Sequence, residues 1–144
     1  MSLVLKQYSA FVSVGTELGW RFSTMIIVTL KTIPLNEKRR ETLDILLTIK
    51  GPIMAESGCL ACSIYEEHDE EQGLLYVELW RSLAELKRHI KSSNYAKILE
   101  AMELSSQIPE ISFYESSETQ GIELIEKIRG EDGPGSGRTP PGAR

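Results

Sequence analysis

The sequence is poor in several features that define common functional classes. Its 144 residues include two cysteines and 7% aromatic residues, and 16 basic residues are outnumbered by 21 acidic ones, for a net charge of −5. No apolar run approaches the roughly 20 residues of a membrane span, and an acidic chain does not predict the clustered basic surface of a nucleic-acid-binding protein. We therefore expect no membrane and no nucleic-acid partner. Two cysteines and no secretory signal pattern predict a cytoplasmic protein.

The two ends of the chain differ in composition from its middle. Residues 130–144 hold five of the eleven glycines, three of the six prolines and no large apolar side chain. Such a segment cannot offset the entropy of ordering, so we expect a disordered tail. Residues 1–24 are interpreted as an N-terminal extension, and two explanations stay open: a natural start at Met25, or an extra strand near residues 11–14. The folded domain is expected to span residues 25–129.

Hydrophobic periodicity between the two ends predicts one α+β domain. Runs rich in β-branched and aromatic residues predict four strands, and helical periodicity follows the first and the third. The polar segment 69–73 is expected to join the second and third strands as an antiparallel hairpin. The order β-α-β-β-α-β is that of a ferredoxin-like fold with an antiparallel sheet. The predicted strands are 25–31, 59–67, 74–80 and 108–115, and segment 121–129 is ambiguous between strand and helix.

Local signals predict where the helices begin, bend and end. Asn36 is expected to cap the first helix, and the Gly-Pro pair at 51–52 to kink or interrupt it, because proline has no N–H to donate. The Ser-Gly pair at 57–58 is expected to end it. Ser82 and Glu85 form a predicted capping box at the next helix start. The predicted buried stripe of the first helix consists of Leu43, Leu46, Leu47, Lys50, Ile53 and Met54.

The sheet is predicted to be apolar on both faces. Two helices cover one face of an antiparallel sheet, and a second face that is wet normally carries polar residues in alternation. The first strand is apolar on both faces. The third strand has bulky side chains on both, with Leu75, Val77 and Leu79 on one face and Leu74, Tyr76 and Trp80 on the other. We therefore predict a homodimer in which two sheets pack face to face.

Three short motifs resemble the antibiotic biosynthesis monooxygenase (ABM) family. They are ESGCL at 56–60, ELW at 78–80, and a helix with leucines and His89 before a serine-rich break, SLAELKRHIKSSNY at 82–95. The similarity covers residues 25–115. It implies a dimeric α+β barrel, the fold that the pattern of strands and helices also predicts, although a fold does not determine an activity.

Departures from the family's patterns narrow the implied activity. Haem-degrading relatives carry an Asn on the first strand, which is absent here, and His89 and Leu99 stand where they carry a Trp and a His. Tyr76 stands where polyketide-oxidising relatives carry an Asn. The resemblance implies a cofactor-independent monooxygenase that oxidises a small quinol-like or polycyclic aromatic substrate with dioxygen, without metal or flavin. An isomerase of the same superfamily and a non-catalytic dimeric ligand-binding module are the alternatives.

Seven residues are predicted to form the site. His89, beside the apolar stripe of its helix, is the predicted base that deprotonates a phenol; the alternative is a half-buried surface histidine. Trp80 is predicted to stack on a planar substrate or to be core. Glu78 is expected on a buried face, where it orients His89 or pairs across the dimer with a basic residue. The predicted substrate-binding residues are Tyr65, Tyr76, Leu86 and Tyr95.

Cys59 and Cys62 have CxxC spacing but lie at a strand start. A redox pair normally opens a helix, whose N-terminus lowers the pKa of a thiol. Residues three apart on a regular strand face opposite sides, which disfavours a disulfide. With His68 and His89 the cysteines lack zinc-site spacing, so no metal site is predicted.

Overall fold

The computed structural model describes residues 24–131. Four antiparallel strands form one sheet in the order β2-β3-β1-β4. The predicted ferredoxin-like α+β fold is confirmed. Residues 1–23 and 132–144, which hold nearly all of the expected N-terminal extension and Gly/Pro-rich tail, lie outside the described residues. The elements are β1 Met25–Thr32, a 3₁₀ turn Asn36–Lys38, α1 Arg39–Met54, β2 Cys59–Glu66, β3 Leu74–Trp80, α2 Leu83–Ile90, α3 Ser93–Glu103, β4 Glu110–Ser116 and α4 Ile122–Glu131.

The core lies between the helices and one face of the sheet. Alternation along the two central strands buries every second side chain, with Val28 of β1 directly opposite Glu78 of β3. Leu46 of α1, Leu86 of α2 and Ile98 of α3 pack in the same buried cluster. Helices therefore cover the sheet face that carries Glu78.

The opposite face of the sheet carries apolar side chains as predicted. Ile27 pairs with Leu79 in the strand register, and Val77, two residues before Leu79 on β3, points to the same face. These three side chains are half-buried, whereas Tyr65 and Tyr114 on the outer strands are exposed. Both faces of the sheet therefore carry apolar side chains, and none of the helices in the described part of the chain covers this second face, the open face.

Helix α1 departs from its prediction at three points. Asn36 does not cap it: Asn36 is the first residue of the 3₁₀ turn, and no side chain caps that turn or α1. The helix runs through Pro52 without interruption, since the missing N–H removes a single bond. Its buried positions are Thr42, Leu46, Ile49 and Ile53, whereas Leu47 and Met54 are exposed.

Gly58 connects α1 to β2 as the predicted helix stop. Its φ of +86° lies in the left-handed region that favours glycine. A Cβ at this position would collide with the side chain of Glu85. The carbonyl of Gly58 accepts the N–H of Arg81 at 2.8 Å. Glycine is therefore required both by backbone conformation and by the close approach of α2.

A β-bulge at the start of β2 overturns the expectation for the two cysteines. Cys59 pairs with Trp80 and Cys62 with Glu78, with a register shift between Cys59 and Ala61. Because Trp80 and Glu78 share a face of β3, both cysteines point to the helix-covered face. The extra residue of the bulge shifts the alternation by one, a feature that regular strand periodicity cannot predict.

Helix α2 begins with half of the predicted capping box. The hydroxyl of Ser82 accepts the backbone N–H of Glu85 at 3.3 Å. The carboxylate of Glu85 accepts hydrogen bonds from the Ser82 hydroxyl and from the guanidinium of Arg81. Ser92 caps α3 in the same way as Ser82 caps α2.

Helix α4 settles the ambiguous segment in favour of helix. It is exposed along its length, with Ile122, Ile125 and Ile128 among its uncovered apolar residues. It also includes Gly130 and Glu131, which composition placed in the tail. Among the helices within residues 24–131, none has the length and apolar character needed to cross a membrane.

Candidate functional site

Strand β3 places three of the predicted site residues on one buried face. Tyr76, Glu78 and Trp80 alternate with the residues of the open face, as the period of two along a strand requires. Each is no more than 1% exposed. The prediction that Glu78 lies between Tyr76 and Trp80 on a buried face is therefore correct.

His89 of α2 lies between two carboxylates. Its Nε2 is 3.1 Å from Oε1 of Glu78, and its Nδ1 is 2.9 Å from Oε2 of Glu56. The ring stacks on Trp80 with a centroid distance of 4.5 Å and an interplanar angle of 27°. The side chain is fully buried, so the surface-histidine interpretation is wrong.

Glu78 is the centre of this hydrogen-bond network. Its Oε1 accepts the Tyr76 hydroxyl at 2.5 Å, and its Oε2 accepts the Trp80 indole N–H at 2.7 Å. Together with His89, three donors satisfy a carboxylate that is 1% exposed. Burial of a charge is tolerated only when it is paired and hydrogen-bonded, and Glu78 meets that condition within its own chain. Of the two predicted roles for Glu78, the contact with His89 is present.

The electrostatic environment favours a protonated imidazole at His89. Burial lowers the pKa of His89, but the hydrogen bonds and charges of Glu78 and Glu56 outweigh it and hold the pKa above its ordinary value. Burial, reinforced by the neighbouring Glu78, raises the pKa of Tyr76 far above its usual range. The Tyr76 hydroxyl therefore acts as a donor and not as a charge.

The cysteines lie at one edge of the network. The Cys62 thiol donates to the Tyr76 hydroxyl at 3.4 Å. Burial raises the pKa of Cys62 and raises that of Cys59 to about 11. Both thiols are free. Thiols held in the protonated form are poor nucleophiles, in line with the prediction that this CxxC pair is not a redox centre.

Three of the four predicted substrate-binding residues lie on the helix-covered side of the sheet. Besides Tyr76, these are Leu86, which is buried in the core cluster, and Tyr95, whose ring meets His89 edge-on at 5.4 Å. The Tyr95 hydroxyl is buried without a hydrogen-bond partner among the described residues. Tyr65 is not brought to the cluster: it pairs with Leu75 on the open face and is 55% exposed.

Two members of the cluster were not assigned a role from the sequence. Glu56 lies in the turn after α1, and its Oε1 accepts the Asn94 side-chain amide at 2.7 Å. Glu56 is the first residue of the ESGCL motif, so the family motif contained this residue although no role was predicted for it. Asn94 belongs to a segment interpreted only as a polar break. It is far from Glu56 in sequence, and its contact depends on how α3 packs.

Two surface pockets formed by described residues lie away from the His89 cluster. One, of about 600 Å³, is a groove between α1 and α3 with Ile45 and Ile49 at its apolar part and Asp44 and Lys97 among its charged lining. A second, smaller pocket lies beside the hairpin and includes Arg39 and His68. Neither includes a residue of the His89 cluster. Within residues 24–131, no group of three or more His, Cys, Asp or Glu side chains is arranged to hold a metal ion.

The family model for antibiotic biosynthesis monooxygenases matches residues 25–101, just over half of the chain. An uncharacterized protein from Synechocystis sp. is 31% identical over 87 residues, which are 60% of this chain and 59% of that protein. A conserved protein from Methanosarcina mazei Go1 has 24% identity and a TM-score of 0.60, covering 65% of this chain and 93% of its own. A candidate antibiotic biosynthesis monooxygenase from Deinococcus radiodurans has 20% identity and a TM-score of 0.61, covering 67% and 97%. At these identities the two structures show the shared fold, and the family match shows that this chain belongs to the antibiotic biosynthesis monooxygenase family.

Proposed function

We propose that the protein is a cofactor-independent monooxygenase that oxidises a small quinol-like or polycyclic aromatic substrate with dioxygen. The observation that supports this most directly is the buried imidazole of His89, clamped between Glu78 and Glu56 and stacked on Trp80. Membership of the monooxygenase family narrows the reaction type. A proton-accepting cluster beside an aromatic wall suits a substrate that must lose a phenolic proton before it reacts.

The reaction balances without an external reductant. Hydroquinone and dioxygen give hydroxybenzoquinone and water: one oxygen atom enters the ring, the other leaves in water, and the substrate supplies the electrons. Loss of the phenolic proton makes the ring more electron-rich and easier for dioxygen to oxidise. The protein's task is to accept that proton, position the ring and exclude water.

The acceptor is the cluster as a whole, with His89 at its centre. Both ring nitrogens of His89 already face carboxylates, and the raised pKa of His89 favours the imidazolium near neutral pH. One imidazolium and two carboxylates carry a net charge of −1. Uptake of one proton makes the cluster neutral, which a buried site favours.

Oxygen uptake with a panel of hydroquinones tests this proposal. Wild-type protein is expected to consume dioxygen, and His89→Asn to lose at least about 100-fold in rate, the usual contribution of acid–base catalysis. His68→Asn changes the other histidine, which is exposed, and is expected to keep the wild-type rate. Undiminished uptake by His89→Asn removes the cluster from the mechanism.

A second candidate function is a non-catalytic ligand-binding module. The observation that favours it is the burial of His89 and Trp80, which are at most 1% exposed in this chain. A substrate must therefore reach the cluster through a rearrangement of the residues that cover it. Absence of oxygen uptake with every hydroquinone, together with saturable binding of one of them, favours the binding module.

We further propose that a second copy of the chain covers the open sheet face. Ile27, Val77 and Leu79 lie together at its centre. Within residues 24–131 the helices pack on the other face, so these side chains have no covering layer there. Paired sheets remove such a surface from water. The proposed partners are therefore a small aromatic substrate, dioxygen and a second subunit.

A further inference from the structure

We propose that Glu56 is the residue through which the substrate's proton enters the buried cluster, so that Glu56, and not His89, contacts the reacting hydroxyl. The inference rests on the proposed monooxygenase function and assigns a role within the same site. Its first support is a gradient of exposure. The side chain of Glu56 is 21% exposed, whereas those of His89 and Glu78 are 0% and 1% exposed.

The second support is the continuity of the hydrogen-bond chain. Glu56 contacts His89 Nδ1, and His89 Nε2 contacts Glu78. The Tyr76 hydroxyl donates to Glu78, and the Cys62 thiol donates to the Tyr76 hydroxyl. Each member beyond Glu56 is buried. A proton that reaches this chain from outside therefore meets the carboxylate of Glu56 first.

The third support is the number of donors at each carboxylate. Glu78 accepts hydrogen bonds from three donors, which leaves one of about four lone-pair sites, and that site lies inside the core. Glu56 accepts from two, His89 and the Asn94 amide. Its oxygens retain lone pairs on the exposed side. Glu56 is therefore the carboxylate that keeps more acceptor capacity, and it keeps it at the more exposed position.

Asn94 acts in this arrangement as a positioning residue. Its amide nitrogen holds Oε1 of Glu56 at 2.7 Å, which leaves Oε2 directed at His89. Asn94 is the second residue of α3, and Ser92 caps the N-terminus of that helix. The amide thus orients the acceptor without taking up a proton itself.

The phenolic O–H bond of the substrate breaks, an O–H bond forms on the Glu56 carboxylate, and the electron pair stays on the substrate oxygen as phenolate. His89 keeps its two N–H bonds and stabilises the remaining charge. The titratable groups packed around His89 are Glu56 in the turn after α1, Glu78 and Tyr76 on β3, and Tyr95 on α3.

Carboxyl carbon NMR of the intact protein with ¹³C-labelled glutamate tests where the proton goes. As a hydroquinone is titrated in at fixed pH, the Glu56 carboxyl signal is expected to shift more than that of Glu78, because the Glu56 side chain is 21% exposed and that of Glu78 is 1% exposed. Signals are assigned with Glu56→Gln and Glu78→Gln. If the Glu56 signal stays unchanged while that of Glu78 or of the His89 ring nitrogens shifts, the proposal is overturned.

Kinetics with a hydroquinone that the wild-type protein oxidises provide the second measurement. Glu56→Gln keeps the shape of the side chain and is expected to lower kcat at least ~100-fold with KM within about threefold. Glu66→Gln changes a carboxylate that is 54% exposed on β2 and is expected to keep wild-type kinetics. A wild-type rate for folded Glu56→Gln overturns the proposal. If no hydroquinone is oxidised by the wild type, the monooxygenase function fails, and the titration still decides whether Glu56 takes the proton.

Discussion

At the scale of single residues, His89 contacts two carboxylates and an indole ring that come from two other elements of the fold. Its imidazole joins α2 to β3 through Glu78 and to the turn after α1 through Glu56. Removing one partner of a buried charged pair leaves the other charges without compensation. The same residue therefore matters for stability as well as for the proposed chemistry.

We predict that His89→Ala lowers the free energy of unfolding by about 3–5 kcal/mol, the usual cost of breaking a buried ion pair. Urea denaturation of the two proteins at neutral pH measures the difference. His68→Ala, at an exposed position of the hairpin, is expected to stay within about 0.5 kcal/mol of wild type. A loss of similar size in both variants contradicts the buried network.

The pH dependence of stability follows from the direction of the His89 shift. Its folded-state pKa is raised above the ordinary 6.5, so folding favours the protonated form. The stabilisation is complete below pH 6.5 and is lost as the pH rises through the folded-state pKa. We expect the difference in unfolding free energy between wild type and His89→Gln to shrink as the pH rises from 6.5 through the folded-state pKa of His89. A difference that grows over this range contradicts the assignment.

At the scale of elements, the junction between α1 and β2 determines whether Glu56 can reach His89. Helix α1 ends at Met54, and Gly58 turns the chain with a φ of +86° before the β2 bulge. Glu56 lies between them. A two-residue change in where the helix ends would carry this carboxylate away from α2, because helical residues rotate by about 100° each.

Two glycines of this region provide a matched comparison. Gly58→Ala is expected to destabilise the protein by about 1–3 kcal/mol, because its φ is positive and a Cβ meets Glu85. Gly51→Ala lies inside α1, where a Cβ has no neighbour within 4 Å. It is expected to stabilise by about 0.4–1 kcal/mol through lower backbone entropy in the unfolded chain. Thermal and urea denaturation measure both, and equal effects of the two substitutions would refute the structural distinction.

At the scale of the whole molecule, the arrangement of layers leaves one sheet face uncovered. Helices pack against the face of Glu78, and the face of Val77 has no layer within residues 24–131. Helix α4 is likewise exposed. A face-to-face homodimer accounts for the open sheet with the strand register unchanged.

Sedimentation analysis of Val77→Asp tests the dimer. Val77 pairs with Thr29 and Ser63 on the open face, so a charge there is expected to turn a dimeric wild type into a monomer at micromolar concentration. Leu47→Asp places the same charge on an exposed position of α1, 58% exposed, and is expected to leave the mass unchanged. A dimeric Val77→Asp protein argues for a different interface.

The order of elements follows from the sequence by itself. Periods of two and 3.6 residues identify four strands and their helices, and the capping serine at 82 marks the start of α2. Alternation along β3 also puts Tyr76, Glu78 and Trp80 on one face, because the period of a strand is a local property. These features depend on neighbours in the chain, so local sequence determines them.

Only the tertiary structure decided what those side chains touch. His89 meets Glu56 across 33 positions of sequence, and Asn94 meets Glu56 across 38, contacts that depend on how α2 and α3 pack and carry no periodic signal. The strand register places Tyr65 opposite Leu75, on the face of the sheet away from the site. The bulge in β2 places Cys59 and Cys62 on the same face. Local patterns determine elements and faces, whereas the long-range packing of helices on the sheet determines which charged groups share the buried site.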